Sequence, residues 1–597
     1  MTVMAVTTSG PAPARASWLT LENALALLLV LAALWVGFFD PRHQILITFA
    51  GVYLIAAMGL NIVTGYVGII SIAHGALVCV GAYAAGIASV NYGVGFWPSM
   101  GLAILASTVV SVLLGLPALR LSSWYFVLIT VAFTMAVPSL IVDFRDFTGG
   151  YAGVIGIPSP TMAGLSPATA LFAWIAIVAA VLYWLIYNLT NSRFGWAMSA
   201  LRDGNVGAEA NGVSTAWIRM LAFALSGAIA GIAGAFYGAA KIVITPEEFS
   251  FDFSILFLFI VILGGPARLT GPIFGVAAFY VLPEFMTALS EYRMVVFGIC
   301  LLIFSVFMPA GLAGALHGFS QRRRGIVLRK GPSSAIRHDA EPVRGAGLTI
   351  HGLSKNFGGL MALRDVSLTV DPGSIHVIVG PNGSGKTTLL NVVFGFYPAS
   401  AGSAALDGRS ILGTAPHRLA GFGVQRTFQT PRLQSELSLI DNIRFGAFAR
   451  ETSTLAEIVL SLPRSIRESR LIRREAHQLL SLVGLDHLAN APASLLTHGQ
   501  QRLAEIARAL IARPRLILLD EPAAGLSMGE LDRLGELLKE IRRLGITLIM
   551  VEHHIDLVAD VADRVTVLDQ GAVLCAGNAV DVFKDPKVVA AYMGGAA

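Results

Sequence analysis

One half of the fold is decided by the stretch Gly380-Pro381-Asn382-Gly383-Ser384-Gly385-Lys386-Thr387. It fits the pattern G-x-x-x-x-G-K-[ST] and lies between an aliphatic run, Ile375–Val379, and an apolar helical pattern that begins near Thr388. In this strand–loop–helix order the glycines let backbone N–H groups wrap around phosphates, and the start of the helix adds partial positive charge. Lys386 can reach the β- and γ-phosphates, and the Thr387 hydroxyl can bind Mg²⁺. We therefore predict that all eight residues, together with Thr388, bind a nucleotide.

A pair of carboxylates follows a second aliphatic run, Leu516-Ile517-Leu518-Leu519-Asp520-Glu521-Pro522. Strands often end in Asp, so the pair alone is weak evidence. It becomes specific because a phosphate-binding loop lies about 130 residues upstream. In that company Asp520 can contact Mg²⁺ and Glu521 can activate water. Gln429 and His553 follow other polar or aliphatic runs and are further candidates for the same site.

The second half of the chain alternates short aliphatic runs with helical patterns. The runs lie at residues 348–350, 366–370, 375–379, 516–519, 547–551 and 564–568. Near-continuous aliphatic strands that alternate with helices predict an α/β domain with a buried parallel sheet.

Charge is distributed very unevenly along the 597 residues. The first 312 residues contain 10 Lys and Arg and 11 Asp and Glu, whereas the remaining 285 contain 32 and 26. For the whole chain, 55% of residues are hydrophobic and only 13% are charged, against roughly 45–50% and 25% in soluble proteins. These values exclude a single soluble globular domain and a disordered chain. The sequence predicts a multi-domain protein whose nearly uncharged half lies in a membrane.

Apolar runs of about 17–25 residues, the length that crosses a bilayer, recur through the first half. They predict an all-α polytopic domain of nine or ten spans, at residues 23–39, 45–63, 69–90, 98–116, 124–142, 169–187, 219–240, 253–266, 271–288 and 294–312. Ten spans put both ends on one side, and the basic cluster after the last span, Arg322 to Arg324 with Arg329 and Lys330, places that side in the cytoplasm. A nucleic-acid-binding tail is the competing interpretation of this cluster. Beside a membrane segment the cytoplasmic flank is favoured, so no nucleic-acid partner is expected.

These patterns divide the chain into four parts. We expect an N-terminal lead at 1–20, a transmembrane domain at 21–313, a cytoplasmic linker rich in Gly, Arg, Ser and Pro at 314–346, and a nucleotide-binding α/β domain at 347–597.

Two features of the membrane half bear on function. His74 is an ionisable residue deep in an early span; a role on a transport path and a structural hydrogen bond to a neighbouring helix are both open. The charged loop between the sixth and seventh spans contains Ala208-Glu209-Ala210-Asn211-Gly212 and has a partly helical pattern. It is either a surface loop or a docking element for a cytosolic motor domain.

The stretch Leu496-Thr497-His498-Gly499-Gln500, followed by a helical pattern, resembles the signature motif of ATP-binding-cassette (ABC) ATPases. The resemblance implies that Phe357 stacks on the adenine of ATP, that Glu521 is the catalytic base and that His553 is the switch histidine. It further implies that Gln429 is the Q-loop glutamine, which completes a set of Mg²⁺ ligands with Thr387 and Asp520. The signature residues would bind the ATP that is held by a partner ATPase.

The membrane half is similar to the permeases of Liv-type branched-chain amino acid ABC importers. The similarity rests on Gly59-Leu60-Asn61, Gly65-Tyr66-Val67-Gly68, Ser71-Ile72-Ala73-His74, Gly81-Ala82-Tyr83, the segment 116–121 (LPALRL), Thr148-Gly149-Gly150 and Pro309-Ala310-Gly311-Leu312. Glu209, Ala210 and Gly212 resemble the coupling motif of importer permeases. By this resemblance the chain is a natural fusion of a permease with an ATPase, parts more often made as separate chains.

The resemblance also implies an assembly. ATP lies between the phosphate loop of one ATPase and the signature of another, so a single chain cannot complete a site. We expect a second permease and a second ATPase, as distinct subunits or as a second copy of this chain, together with membrane lipid and an extracytoplasmic solute-binding protein. The protein is expected to be a multi-pass protein of the bacterial inner membrane with a cytoplasmic ATPase, and to import branched-chain amino acids or related small polar or carboxylate solutes.

Three alternatives remain at this point. Relatives carry urea, amides or aromatic acids, so the substrate class is open. An ABC exporter half-transporter also joins membrane and ATPase domains in this order, but exporters typically have six long spans. A membrane-anchored ATPase for signalling or scaffolding would need only one helix.

Overall fold

The computed structural model describes residues 21–121, 123–285, 310–324 and 343–593, with isolated positions between 286 and 309. The chain forms two compact units. The first comprises residues 1–187 and 219–327, and the second comprises residues 188–218 and 328–597. The second unit is therefore discontinuous in sequence, because the loop between the sixth and seventh predicted spans belongs to it. The predicted lead at 1–20, most of the tenth span and most of the linker lie outside the described residues.

The first unit is built from apolar helices. They are α1 (Leu21–Phe39), α2 (Gln44–Leu60), α3 (His74–Tyr92), α4 (Phe96–Gly115), α5 (Ser123–Asp143), α6 (Arg145–Thr148), α7 (Pro167–Thr190), α10 (Thr215–Lys241), α11 (Phe251–Gly264), α12 (Gly271–Val276), α13 (Leu282–Phe285) and α14 (Gly311–Arg324). The end of α7 and the start of α10 lie in the second unit. The two helices between them, α8 (Arg193–Asp203) and α9 (Asn205–Ala210), belong wholly to the second unit. Strands β1 (Val154–Ile155) and β2 (Val243–Ile244) form a short antiparallel pair.

Seven helices in the described part of the chain are long and apolar enough to cross a membrane, and each overlaps one of the first seven predicted spans. The third begins at His74 rather than at residue 69. The eighth and ninth predicted spans correspond to shorter apolar helices, Phe251–Gly264 and Gly271–Glu284. The first of these ends where Gly265 takes a positive φ of 134°, which stops the helix.

Polar side chains join the membrane helices at close approach. Ser107 Oγ of α4 donates to Leu77 O of α3 at 2.9 Å, and Ser111 Oγ donates to Phe223 O of α10 at 2.7 Å. Asn61 opens a π-helical turn, Asn61–Tyr66, and its amide binds Ala267 N at 3.1 Å and Arg268 O at 2.9 Å. Such bonds hold helices together where lipid gives little hydrophobic drive for association.

The second unit contains two sheets. Its strands are β3 (Leu348–Phe357), β4 (Leu360–Val370), β5 (Ile375–Val379), β6 (Ala401–Leu406), β7 (Arg409–Ser410), β8 (Val424–Arg426), β9 (Leu516–Asp520), β10 (Thr547–Val551), β11 (Arg564–Asp569) and β12 (Ala572–Gly577). The larger sheet has the order β12-β11-β5-β10-β9-β8 and is parallel except for β12. The predicted buried parallel sheet is confirmed for β5, β9, β10 and β11, whose central residues are all buried.

The runs at 348–350 and 366–370 were expected in the parallel sheet, and this expectation is wrong. They belong to an antiparallel sheet of order β4-β3-β6-β7. Buried and accessible residues alternate along β4, as they do in a strand with one face exposed. The runs at 348–350 and 366–370 are too short to show this alternation in the sequence.

Helices pack on both sheets of the second unit. They are α15 (Lys386–Val393), α16 (Pro416–Gly421), α17 (Leu439–Phe445), α18 (Leu455–Val459), α19 (Pro463–Leu482), α20 (His498–Leu510), α21 (Met528–Arg543), α22 (Ile555–Val561), α23 (Ala579–Val582) and α24 (Pro586–Met593). The core divides into two clusters of buried side chains, one on each face of the parallel sheet. Ala210 of α9 belongs to one of these clusters.

Candidate functional site

The phosphate-binding loop connects β5 to α15, as the sequence predicted. Gly380 has a φ of 149°, and a Cβ there would lie 2.0 Å from Leu568 O, so only glycine fits. The Lys386 ammonium donates to the carbonyls of Gly380 at 2.9 Å and Pro381 at 2.8 Å, which holds the charge inside the loop. Burial lowers the pKa of Lys386, while Glu521 and Asp520 oppose this shift. The Ser384 hydroxyl is buried and has no hydrogen-bond partner among the described residues.

The three predicted catalytic side chains meet at the carboxyl end of the parallel sheet. Gln429 Nε2 donates to Glu521 Oε2 at 2.8 Å, and His553 Nε2 lies 3.2 Å from Glu521 Oε1. Glu521 has a φ of 47°, which is strained for a side chain other than glycine, and its N–H donates to Val551 O at 2.9 Å. The backbone therefore holds this carboxylate in one orientation between two polar partners.

Asp520 lies one residue before Glu521 and is buried with Arg426. Arg426 Nη2 donates to Asp520 Oδ2 at 3.2 Å, and Arg426 Nη1 donates to Asn391 Oδ1 at 2.7 Å. Burial raises the pKa of Asp520, whereas Arg426 and the Thr387 hydroxyl lower it. Asp520 Oδ1 is buried without a partner that meets hydrogen-bond geometry in the described structure. This orphaned oxygen and the Thr387 hydroxyl are hard donors that fit Mg²⁺, which takes one or two protein oxygens and completes its shell with phosphate and water.

Replacing Arg426 by Leu is expected to destabilise the protein by about 3–5 kcal/mol, because the buried Asp520 carboxylate would lose its counter-charge. The guanidinium also lies 5.5 and 5.3 Å from the ring centroids of Phe396 and Phe428, which are 6.1 Å apart. The measurement is the temperature of half-inactivation of ATPase activity. Arg513→Leu is the control, because Arg513 is exposed and pairs with Glu475 at 3.1 Å on the surface. Equal losses in both variants would contradict the assignment.

Phe357 and the signature residues lie on two further elements. Phe357 ends β3, is 41% exposed, and meets Tyr397 edge-on at 5.2 Å, with Lys355 Nζ 4.7 Å from its ring. An exposed ring of this kind is free to stack on a base. Thr497 caps α20: its Oγ1 accepts from Gln500 N at 3.3 Å, and Gln500 Oε1 accepts from Thr497 N at 3.0 Å. Leu496 is buried beneath, and His498 and Gly499 form the first turn, whose N–H groups suit an anion.

Both halves of the chain are similar to components of one transport system. Residues 44–305 match the family described as the permease component of the branched-chain amino acid transport system, and residues 363–524 match the family described as ABC transporter. The high-affinity branched-chain amino acid transport ATP-binding protein BraF of Pseudomonas aeruginosa is 38% identical over 248 residues, which are 41% of this chain and 97% of BraF. The chain belongs to the ABC transporter family.

Two further relatives match the same share of this chain as BraF does. The high-affinity branched-chain amino acid transport ATP-binding protein LivG of Escherichia coli is 37% identical over 41% of this chain and 97% of LivG. The probable branched-chain amino acid transport ATP-binding protein LivG of Archaeoglobus fulgidus is 34% identical over 41% of this chain and 95% of that protein. The expected fusion of a permease with an ABC ATPase is confirmed. This transporter therefore hydrolyses ATP to drive movement of a solute across a membrane.

Helix α20, which begins in the predicted signature motif and is called the signature helix below, is bonded to the segment that carries Gln429. Arg502 donates to the carbonyls of Phe428, at 2.6 Å, and of Gln429. Glu505 accepts from the N–H groups of Phe428 at 3.4 Å and Arg432 at 3.1 Å, and Arg508 donates to Arg432 O at 2.6 Å. All three side chains are buried. A shift of the signature helix must therefore move the backbone of residues 428–432.

Arg193, at the start of α8, is held by the backbone of the ATPase. Its guanidinium donates to the carbonyls of Phe448, at 3.2 Å, of Glu451, and of Ser453, at 2.6 Å. The same group lies 4.9 and 5.4 Å from the rings of Phe194 and Phe448. Asn188 Nδ2 adds a bond to Val459 O at 2.8 Å, and Arg444 stacks on Trp196 at 4.7 Å. Residues 188–218 are therefore packed against the ATPase and are not a free surface loop, as the prediction of a docking element requires.

The predicted coupling residues lie at the far end of the same segment. Ala210 is buried in the core of the ATPase unit, and Glu209 Oε1 accepts from Thr215 Oγ1 at 3.2 Å. Gly212 has a φ of 87°, and a Cβ there would lie 2.6 Å from Ala449 Cβ. Gly207 faces Arg432 on the segment held by the signature helix, with 3.3 Å between its ideal Cβ and Arg432 Cβ. The loop thus touches the residues that respond to the signature helix.

Glu451 gives the docking region a pH dependence. Burial raises the pKa of its carboxyl to about 7, against the opposing charges of Arg193, Arg444 and Arg450 and with a further upward shift from Glu468. The folded protein therefore keeps this carboxyl protonated at pH values at which the unfolded chain has already lost the proton. The free energy of unfolding consequently decreases as the pH rises from about 5 to 8.

We expect Glu451→Gln to remove that loss. Between pH 5.5 and pH 8, the half-inactivation temperature of the wild type should fall by roughly 3 °C more than that of the variant. The measurement is the half-inactivation temperature at both pH values. Exposed Glu436→Gln, on the neighbouring segment, should leave the wild-type slope unchanged, and an unaltered slope in Glu451→Gln would exclude this role.

His74 is buried at the start of α3. Its ring meets Phe257 edge-on at 5.9 Å, and its Nε2 has no hydrogen-bond partner in the described part of the chain. His74 is therefore the first residue of a helix and not deep within a span, because the chain before it is not helical. A role for His74 on a transport path stays a prediction.

Sequence reasoning missed Arg193, Arg426 and the group Arg502, Glu505 and Arg508. Arg502, Glu505 and Arg508 are charged residues at helical spacing, and all are buried. Three charges on one buried helix face would have been the available signal. Arg193 and Arg426 offered none, because their partners lie far away in the chain.

Proposed function

We propose that this ABC transporter imports branched-chain amino acids or related small carboxylate solutes, delivered by an extracytoplasmic binding protein. Two observations support the proposal. Residues 188–218 pack on the ATPase through Arg193. Residues 44–305 of the same chain match a branched-chain amino acid permease component. We further propose a bacterial inner-membrane location with a cytoplasmic ATPase, and a functional division into a permease at 21–313 and an ATPase at 347–597.

Hydrolysis of ATP would use the side chains at the end of the parallel sheet. Lys386 and the loop N–H groups hold the phosphates, Phe357 stacks on adenine, and Glu521 accepts a proton from the attacking water. Gln429 and His553 hold Glu521 from both sides, at 2.8 and 3.2 Å. Thr387, Asp520 and Gln429 would hold Mg²⁺, which would supply positive charge to offset the charge developing on the phosphates.

The assembly would contain two permeases and two ATPases. Each chain carries one phosphate loop and one signature helix, and we propose that the signature residues 496–500 face the ATP of the partner ATPase. The partners are either distinct subunits or a second copy of this chain. Closure of the two ATPases would move α20, which is bonded to residues 428–432, and these residues contact the docked loop.

The test is solute uptake by the full transporter in proteoliposomes, with ATP supplied on the ATPase side and candidate binding proteins, loaded with radiolabelled solute, on the other. Accumulation against a gradient that needs ATP and is lost in Glu521→Gln supports the importer and identifies its solute. ATP-driven movement in the opposite direction would replace it with an exporter. Uptake of urea, amides or aromatic acids in place of leucine, isoleucine and valine would overturn the substrate class.

Replacing Asp520 by Asn is expected to raise the Mg²⁺ concentration for half-maximal ATP hydrolysis by about tenfold or more, since the carboxylate is the one charged ligand that we propose for the metal. The measurement is ATPase rate against free Mg²⁺ at saturating ATP. Asp532→Asn, on the exposed side of α21, is the control. An unchanged Mg²⁺ dependence in Asp520→Asn would exclude Asp520 from the metal site.

A further inference from the structure

The first unit contains a cavity of about 410 Å³ between α2, α10, α11 and the segment that carries Tyr280. Aromatic side chains form most of its wall: Phe49, Tyr53, Tyr237, Phe253, Phe259 and Tyr280. Cavities of this size are in the range of small-molecule sites, which combine apolar walls with a few polar groups.

The aromatic wall is packed edge to face. Tyr53 meets Tyr280 at 4.3 Å and Phe253 at 5.9 Å, and Tyr237 meets Phe253 at 5.5 Å. Tyr237 and Phe49 lie 5.7 Å apart. These contacts fix the rings, so that the wall is formed before any solute arrives. A fixed aromatic wall offers an apolar surface to a side chain and π faces to a cation.

Charges of both signs lie at the rim of the cavity. Lys241, at the end of α10, supplies a cation, and Asp252 and Glu284 supply carboxylates. The Lys241 ammonium is held by Glu248 Oε1 at 3.0 Å and lies 5.8 Å from the Phe49 ring. A solute that carries an ammonium and a carboxylate on one carbon matches this rim, because each of its charges meets the opposite sign.

Two buried polar atoms, His74 Nε2 and Ser254 Oγ, belong to residues next to the aromatic side chains of α11. Phe253 packs against Phe257 at 4.9 Å, and Phe257 meets the ring of His74 at 5.9 Å. His74 Nε2 has no hydrogen-bond partner among the described residues. Ser254 Oγ, next in sequence to Phe253, is also buried and without a partner in that part of the structure. Buried polar atoms without a partner are uncommon in folded proteins, and ionisable residues inside membrane domains are often functional.

We propose that this cavity is a solute-binding site of the permease, specific for a zwitterionic amino acid with an apolar side chain. The inference rests on the proposed import function and deepens it by assigning the substrate class to residues of this chain. The side chain lies against Tyr53 and Phe253, the carboxylate meets Lys241, and the ammonium meets Asp252 and the aromatic faces.

The test is binding of tritiated leucine to the full transporter in nanodiscs without a binding protein. Unlabelled leucine should displace the label, whereas 4-methylpentanoate, which lacks the ammonium, and 3-methylbutylamine, which lacks the carboxylate, should each need about tenfold or more higher concentration. Lys241→Gln and Asp252→Asn should weaken leucine binding by a similar factor, and their affinity for ATP is measured to show that both variants fold. Tyr125→Ala, an exposed ring on α5, is the matched control.

The outcomes separate this inference from the proposed function. Leucine uptake in proteoliposomes together with unchanged binding by Lys241→Gln and Asp252→Asn would overturn the cavity and leave the importer standing. Equal displacement by 3-methylbutylamine would overturn the zwitterion and leave a cation site. Absence of leucine uptake by the wild type under all conditions, with ATP hydrolysis intact, would overturn the proposed function itself.

Discussion

Glu521→Gln is expected to lower the rate of ATP hydrolysis by about 10²–10⁴-fold, the contribution that a positioned general base makes. The amide keeps the size of the side chain and its place between Gln429 and His553, but it cannot accept a proton from water. The residues that we propose to hold the phosphates lie at 380–388, away from residue 521 in sequence, so ATP binding should be retained. The measurement is single-turnover hydrolysis together with the equilibrium affinity for ATP.

A surface carboxylate provides the control for this variant. Glu536 lies on α21, is exposed, and pairs with Lys539 at 3.2 Å. Glu536→Gln should hydrolyse ATP at the wild-type rate. A fall of less than about tenfold in Glu521→Gln would remove Glu521 from the role of base. A parallel loss of ATP binding would mean that the change disturbed the phosphate loop instead.

The parts of the site that the sequence predicted are those formed by local order. The phosphate loop needs only a strand, eight residues and a helix in succession, and all three are adjacent in the chain. Glu521, Gln429 and His553 could be placed together because neighbouring parallel strands end at one edge of a sheet. The signature helix could be recognised because its cap and first turn are continuous in sequence.

The parts that could not be predicted depend on distant partners. Arg426 ends a strand of three residues, Val424–Arg426, and its carboxylate partner lies 94 positions away. The backbone carbonyls that bind Arg193 are 255–260 positions away. Because every residue has a backbone carbonyl, the sequence does not indicate which ones accept these bonds. The aromatic cavity draws on four separate segments, none of which has an unusual pattern alone. The antiparallel sheet was misassigned because the pairing of β3 with β6 is not local.

The second large effect is expected at the docking loop. Arg193→Ala should lower the amount of solute transported per ATP hydrolysed by tenfold or more. Three carbonyls, of Phe448, Glu451 and Ser453, would lose a charged donor in a buried place, and each such loss costs about 1–3 kcal/mol. Because a tenfold effect needs only about 1.4 kcal/mol, part of this loss suffices. The measurement is uptake and ATP hydrolysis in the same proteoliposomes, with amide exchange of residues 448–453 as the structural readout.

Two companion variants give this prediction its specificity. Arg202, on the same helix, makes longer ionic contacts among the described residues, with Asp203 at 3.4 Å and Glu436 at 3.7 Å. Arg202→Ala should therefore leave the transport ratio within about twofold of the wild type. Arg193→Lys keeps the charge but loses the planar fork that reaches several carbonyls at once, and it should fall between the two. If Arg193→Ala hydrolyses ATP and transports solute in the wild-type ratio, the loop is held by its other contacts. In that case Ala210 and Gly212, packed against the ATPase core, would have to carry the coupling alone.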